Sequence, residues 1–198
     1  MKSSDYYSSK ELKKLGFRKL GKNLEIKKSV NFFCCENIVI GNNVRIEDYS
    51  IITGRGKLKI GDYVHISSHC CLLGKYGIDL GNYITIAPGV KIFSGSDDYS
   101  GNEIYTSFLK DKKFLEKNRG RTKIGDYVII GSNSVIMPNL NIEEGVAIGA
   151  LSFVNKNLKS WTIYYGNKIV KGKKRSKNFL TKLKNKYFEK NTHNLSIY

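Results

Sequence analysis

The chain has 198 residues, 40% of them hydrophobic, and a net charge of +17, which is one domain's worth with enough apolar content for a core. No run of about twenty apolar residues occurs, which excludes a membrane-spanning helix. The opening Met1-Lys2-Ser3-Ser4-Asp5-Tyr6-Tyr7 lacks the apolar stretch of a signal peptide, so the cytoplasm is the expected compartment.

In chain order, residues 8–16 predict a short helix. Ser8 and Glu11 have capping-box spacing, Leu12 and Leu15 form an apolar edge, and Gly16 ends it. From Leu20 an aliphatic–Gly pair recurs every twenty residues: Leu20-Gly21, Ile40-Gly41, Ile60-Gly61 and Leu80-Gly81. Within each period aliphatics recur every six, as at Ile40, Ile46 and Ile52, and the beat resumes at Ile124, Ile130, Ile136, Ile142, Ile148 and Val154. A period of six is neither helical nor simply alternating. It describes a chain that turns three corners per coil, the signature of a β-helix whose coils bury their apolar residues only by stacking. Asn42, Asp62, Asn82 and Asp126 mark the corners. The two extra residues in each early coil predict a bulge at one corner.

Residues 95–122 break the register. A loop this long in a compact domain is usually functional, and Tyr99, Tyr105, Phe108 and Phe114 suit a segment that folds over something. Past Lys159 the hexads stop. From Lys159 to Lys190 there are eleven Lys or Arg against the single acid Glu189, and residues 177–190 read as a basic amphipathic helix. Such a tail predicts attraction to anions, including a weak association with the anionic inner face of a membrane, without specific nucleic-acid recognition. The expected organisation is an N-terminal helical cap (1–19), a β-helix (20–160) with the inserted loop 95–122, and a basic C-terminal segment (161–198). Cys34-Cys35 and Cys70-Cys71 lack metal-ligand spacing and read as reduced thiols.

Three stretches resemble bacterial hexapeptide-repeat acyltransferases, specifically the maltose/galactoside O-acetyltransferase group and its relatives in surface-polysaccharide clusters. They are Ile124-Gly-Asp-Tyr-Val-Ile-Ile-Gly-Ser-Asn-Ser-Val-Ile-Met-Pro138, Ile148-Gly-Ala-Leu-Ser-Phe-Val-Asn-Lys156 and Tyr165-Gly-Asn-Lys-Ile-Val-Lys171. The resemblance implies a left-handed parallel β-helix, a homotrimer with active sites between protomers, and acetyl-CoA as co-substrate. It places Ser132, Gly149, Ala150 and Ser152 along the pantetheine and Lys156 and Lys171 at the phosphates. Outward Ile129 and Phe153 suit a trimer.

Acetyl transfer to a hydroxyl needs a base near the acceptor oxygen. The family's loop His is absent here: the stretch reads Ser94-Gly95-Ser96-Asp97-Asp98-Tyr99. His193 stands in the tail and His69 at a corner, which leaves outward His65 as the candidate base, with Asp97 or Asp98 orienting it or acting itself. Asp97, Asp98 and Tyr99 also suit sugar binding. The expected function is acetyl-CoA-dependent O-acetylation of a sugar or glycan in cell-surface polysaccharide biosynthesis. The alternatives are N-acetylation of a nucleotide-linked amino sugar, whose amine needs less help from a base, and a non-catalytic anion-binding scaffold. A zinc site is not expected, because His65 and His69 point apart on a six-residue period and the solenoid has no third His.

Overall fold

A computed structural model describes residues 5–97 and 118–183. It is a left-handed parallel β-helix. Three parallel sheets run along the axis, one on each face. The first sheet carries Lys19–Leu20, Ile38–Ile40, Leu58–Ile60, Ile78–Leu80, Thr122–Ile124 and Asn141–Ile142. The second carries Glu25–Ile26, Arg45–Ile46, His65–Ile66, Thr85–Ile86, Ile129–Ile130, Ala147–Ile148, Thr162–Tyr165 and Val170–Lys174. The third carries Asn31–Phe33, Ile51–Thr53, Cys71–Leu73, Lys91–Phe93, Val135–Ile136 and Phe153–Val154.

The six-residue beat is the inward column of each sheet. Ile40 pairs with Ile60 and Leu80 with Ile60, while Ile46 and Ile86 both pair with Ile66. These side chains are buried and form one continuous core. The extra residues of the early coils lie at the corner from the third sheet back to the first: Ile52 precedes Ile60 by eight positions, whereas Ile136 precedes Ile142 by six. The stack also continues past residue 160. Thr162–Tyr165 adds a parallel strand to the second sheet, and Val170–Lys174 returns antiparallel along it.

Corner chemistry follows from coil stacking. A Cβ on Gly61 would lie 2.3 Å from the carbonyl oxygen of Gly81, so glycine is required by the close approach of the next coil. Asn42, Asp62, Asn82 and Asp126 form a ladder up this corner. The Oδ1 of Asp62 accepts from the backbone N–H of Asn42 at 2.7 Å, that of Asn82 from Asp62 at 2.8 Å, and that of Asp126 from Asn82 at 2.8 Å. Alternating amide and carboxylate keeps like charges from stacking. Beside it, Tyr63 and Tyr83 stack at 4.8 Å and Tyr83 and Tyr127 at 5.2 Å, all in left-handed backbone conformation.

The helix Ser9–Lys14 has the expected capping box and buries Leu12 against the first coils. All four cysteines are free. Cys70 is buried, and burial pushes its thiol up to about 11. Residues 178–183 are helical, and the rest of the predicted basic helix lies outside the described residues. No helix among the described residues is long and apolar enough to cross a membrane.

Candidate functional site

Side chains alternate across a strand, so each three-residue strand of the third sheet turns its first and third residues outward in two columns. Asn31, Ile51, Cys71 and Lys91 form one, and Phe33, Thr53, Leu73 and Phe93 the other, each aligned by register over four successive coils. A solvated face would carry polar groups here. Instead the Phe33 column floors a groove of about 870 Å³ that extends to Val135, Met137 and Phe153, within the usual range of ligand sites. Phe33 is 54% exposed and Phe153 37%.

The groove's rim comes from the neighbouring corner. Arg55 and Lys75 follow the third-sheet strands of successive coils and line it, as does Asp97 at the start of the insert. Gly54 and Gly74 let the chain turn there: a Cβ on Gly74 would sit 2.6 Å from the carbonyl oxygen of Thr53. The insert leaves and returns as an antiparallel ribbon, with Gly95 opposite Arg119 and Ser96 opposite Asn118. Buried Ser94 anchors its root, accepting from the backbone N–H of Tyr76 at 2.9 Å and donating to the carbonyl of Leu73 at 3.0 Å. On the return, the Thr122 hydroxyl donates to the carbonyl of Phe93 at 2.7 Å, and Arg121 pairs with Asp79 at 2.6 Å. Asp97 is thus held over the groove by a braced root. Asp98 and Tyr99 lie outside the described residues.

His65 stands elsewhere. It is outward on the second sheet between Arg45 and Thr85, whereas Asp97 rims the third. A single protomer does not bring the two together. The His65 Nε2 is enclosed without a hydrogen-bond partner, 3.7 Å from a Glu47 carboxylate oxygen that already accepts from Arg45. His69 is exposed at a corner, its ring 5.2 Å from that of Tyr49.

The residues assigned to the cofactor divide. Ser132 and exposed Ala150 occupy the corner between the second and third sheets on the last coils, linked by the backbone N–H of Leu151 donating to Ser132 at 2.8 Å. Gly149 lies beneath Tyr165, where a Cβ would meet the tyrosine Cβ at 3.1 Å. Lys156 is exposed just past the last third-sheet strand, and Lys171 lies on the returning strand opposite Tyr164. The side chain of Ser152 differs from expectation. It points inward, is 1% exposed, donates to the carbonyl of Gly149 at 2.7 Å and accepts from the backbone N–H of Gly166 at 3.2 Å. It locks the last corner and does not face an outward groove. The small residue there reflects the fifth, inward position of the hexad.

Phe33, Arg55, Lys75 and Phe93 were not singled out by sequence reasoning. Their signal was present: an outward column apolar at three of four twenty-residue steps (Phe33, Leu73 and Phe93, with Thr53 between), and two cations at equivalent positions one coil apart. No cluster of three or more metal-ligating side chains occurs among the described residues.

Comparison with known proteins identifies the family. A family model described as bacterial transferase hexapeptide (six repeats) matches residues 121–156. A dTDP-4-amino-4,6-dideoxy-D-glucose acyltransferase from Escherichia coli is 35% identical over 162 residues, covering 81% of this chain and 84% of the relative. Among solved structures, AntD, an N-acyltransferase from Bacillus cereus, in complex with dTDP and 3-hydroxybutyryl-CoA superposes with a TM-score of 0.88 at 35% identity, covering 96% of this chain and all (100%) of that one. A variant of the same enzyme with dTDP-4-amino-4,6-dideoxyglucose and coenzyme A gives a TM-score of 0.88 at 37% identity, covering 95% of this chain and 100% of that one.

Proposed function

Since the chain belongs to the bacterial hexapeptide-repeat acyltransferases and is an acyltransferase that uses CoA, we propose that it acylates the amino group of a dTDP-linked amino sugar. This is the N-acyl alternative read from the sequence, and it takes the place of sugar O-acetylation. The observation that carries it is a groove whose chemistry suits a nucleotide-linked amino sugar. A largely apolar floor runs from Phe33 to Phe153, with cations and one carboxylate on its rim, and the relatives include a dTDP-amino-sugar acyltransferase and an N-acyltransferase held in complex with such a sugar.

The chemistry needs little from the protein beyond placement. The amine nitrogen attacks the thioester carbonyl carbon, the resulting tetrahedral centre expels the CoA sulfur, and the nitrogen's proton ends on that thiolate. An amide and free CoA result. Asp97 accepts a hydrogen bond from the amine and fixes its lone pair. The acyl-CoA arm runs beyond the groove along the last coils, beside Ser132, Gly149 and Ala150, with Lys156 and Lys171 as point charges for its phosphates. Ile129 is 40% exposed and Phe153 37%, and both become covered when three protomers pack side by side as a homotrimer. The enzyme then works in the cytoplasm, where acyl-CoA and nucleotide sugars are made.

The test is thiol release from acetyl-CoA with dTDP-4-amino-4,6-dideoxyglucose and with its 4-hydroxyl counterpart. Amide formation with the first and none with the second is expected. Ester formation from the hydroxyl sugar, with the amine ignored, would return the function to O-acetylation. Ala150→Trp should abolish CoA binding in calorimetry while leaving dTDP binding intact.

A further inference from the structure

We propose that the groove reads its acceptor in coil order, so that each segment of a nucleoside-diphosphate sugar meets one coil of the solenoid. The nucleobase lies on Phe33, the first phosphate at Arg55, the second at Lys75, and the sugar amine at Asp97. This rests on the nucleotide-sugar reading above and adds which residues hold which part, and in which direction.

The order follows from register. Phe33 pairs with Thr53, Thr53 with Leu73, and Leu73 with Phe93, so these positions climb the axis one coil at a time. Arg55 and Lys75 stand two residues beyond Thr53 and Leu73, and Asp97 stands four beyond Phe93. All of them line the same groove. Along the axis the sequence of chemistries is therefore aromatic, cation, cation, carboxylate. Adjacent coils are separated by about 4.8 Å, so the four span roughly 14 Å, the scale of an extended nucleotide sugar.

Each step excludes a competitor. Two cations one coil apart suit two adjacent phosphates better than a lone carboxylate ligand. The half-exposed Phe33 ring offers a stacking face at the cationic end. Asp97, the one acid among the described groove-lining residues, would repel a third phosphate and attract an amine, which favours a diphosphate sugar over a nucleoside triphosphate. Lys75 also packs over Tyr76, with Nζ 5.5 Å from the ring centroid, and Arg119 caps that ring's surroundings at 5.8 Å. The lysine is thereby held at the rim.

The experiment measures inhibition constants of dTDP and dTMP against the acylation reaction for the wild-type enzyme and for Arg55→Ala, Lys75→Ala and Phe33→Ala. Folding is checked by thermal melting, and Lys75→Arg serves as the charge-conserving control. We expect Lys75→Ala to erase most of the advantage of dTDP over dTMP, a tenfold or larger loss confined to the diphosphate. Arg55→Ala and Phe33→Ala should weaken both nucleotides tenfold or more. Lys75→Arg should bind like the wild type, and the KM for acyl-CoA should stay within twofold throughout. The coil order is overturned if the wild type acylates the nucleotide sugar while Arg55→Ala and Lys75→Ala bind dTDP within twofold of it. It is equally overturned if Lys75→Ala weakens dTMP and dTDP alike. A wild type that neither binds dTDP nor acylates any nucleotide amino sugar instead removes the functional reading on which the proposal rests.

Discussion

The Arg175 guanidinium donates to the carbonyl of Tyr127 at 2.6 Å, joining the C-terminal segment to a coil 48 residues earlier. The same Nη1 reaches the carbonyls of Gly145 at 3.1 Å and Val146 at 3.3 Å. Phe179 then packs on Tyr127 and Trp161, extending the corner's aromatic stack. Burial holds the guanidinium below its ordinary value, but it stays charged far above neutral pH. Arg175→Ala removes a charged donor shared by three carbonyls and should destabilise the last coils by about 1–3 kcal/mol. Urea denaturation should show it, with proteolysis within 170–183 becoming faster. An unchanged midpoint would mean that the segment is not fastened there.

The Asn42–Asp62–Asn82–Asp126 ladder should be sensitive to charge alternation. Asn82→Asp keeps the shape but stacks three carboxylates in a row, since Asn82 accepts from Asp62 and donates to both carboxylate oxygens of Asp126 at 3.4 Å. The variant should melt lower than wild type at pH 7. The gap should narrow toward pH 4, because repulsion between carboxylates disappears as they protonate. A gap independent of pH would assign the cost to the lost amide donor alone.

Helix capping brings a second pH dependence, of opposite sign. Hydrogen bonds from Lys28, at 2.8 Å, and from Ser8 hold the exposed Glu11 carboxyl down at about 2, against an ordinary 4.5. A depressed folded-state value means that the contribution is complete above 4.5 and is lost as pH falls toward 2. Wild type should therefore lose helix docking across that window more steeply than Glu11→Gln, as followed by hydrogen exchange at Leu12. Parallel profiles for the two would show that Glu11 stabilises nothing.

The two acid–base candidates should separate kinetically. Asp97→Asn weakens the hydrogen bond to the amine and should raise the acceptor KM about tenfold, with kcat moving less. His65→Ala should leave kcat within about threefold, since the imidazole is on another face and an amine nucleophile needs little help from a base. A loss of 10² or more, the usual worth of a general base, would instead identify His65 as a base delivered across an interface between protomers.

What the sequence determined by itself was the solenoid, because a six-residue beat leaves an apolar chain one way to hide its side chains. Ile40, Ile46 and Ile52 already stated three faces, Gly61 the closeness of the coils, and Ser8 with Glu11 the helix start. Left-handedness came from likeness to a family, since periodicity has no hand. The family likeness misdirected in one place: it set Ser152 along the pantetheine, yet Ser152 holds the fifth, inward position of its hexad and its hydroxyl is consumed inside the corner. What only the tertiary structure decided was which outward residues share a face. His65 and Asp97 are each outward, but a corner separates them. Phe33, Arg55, Lys75 and Asp97 are scattered over 65 positions and become neighbours only because stacked coils convert a twenty-residue step in sequence into about 4.8 Å in space.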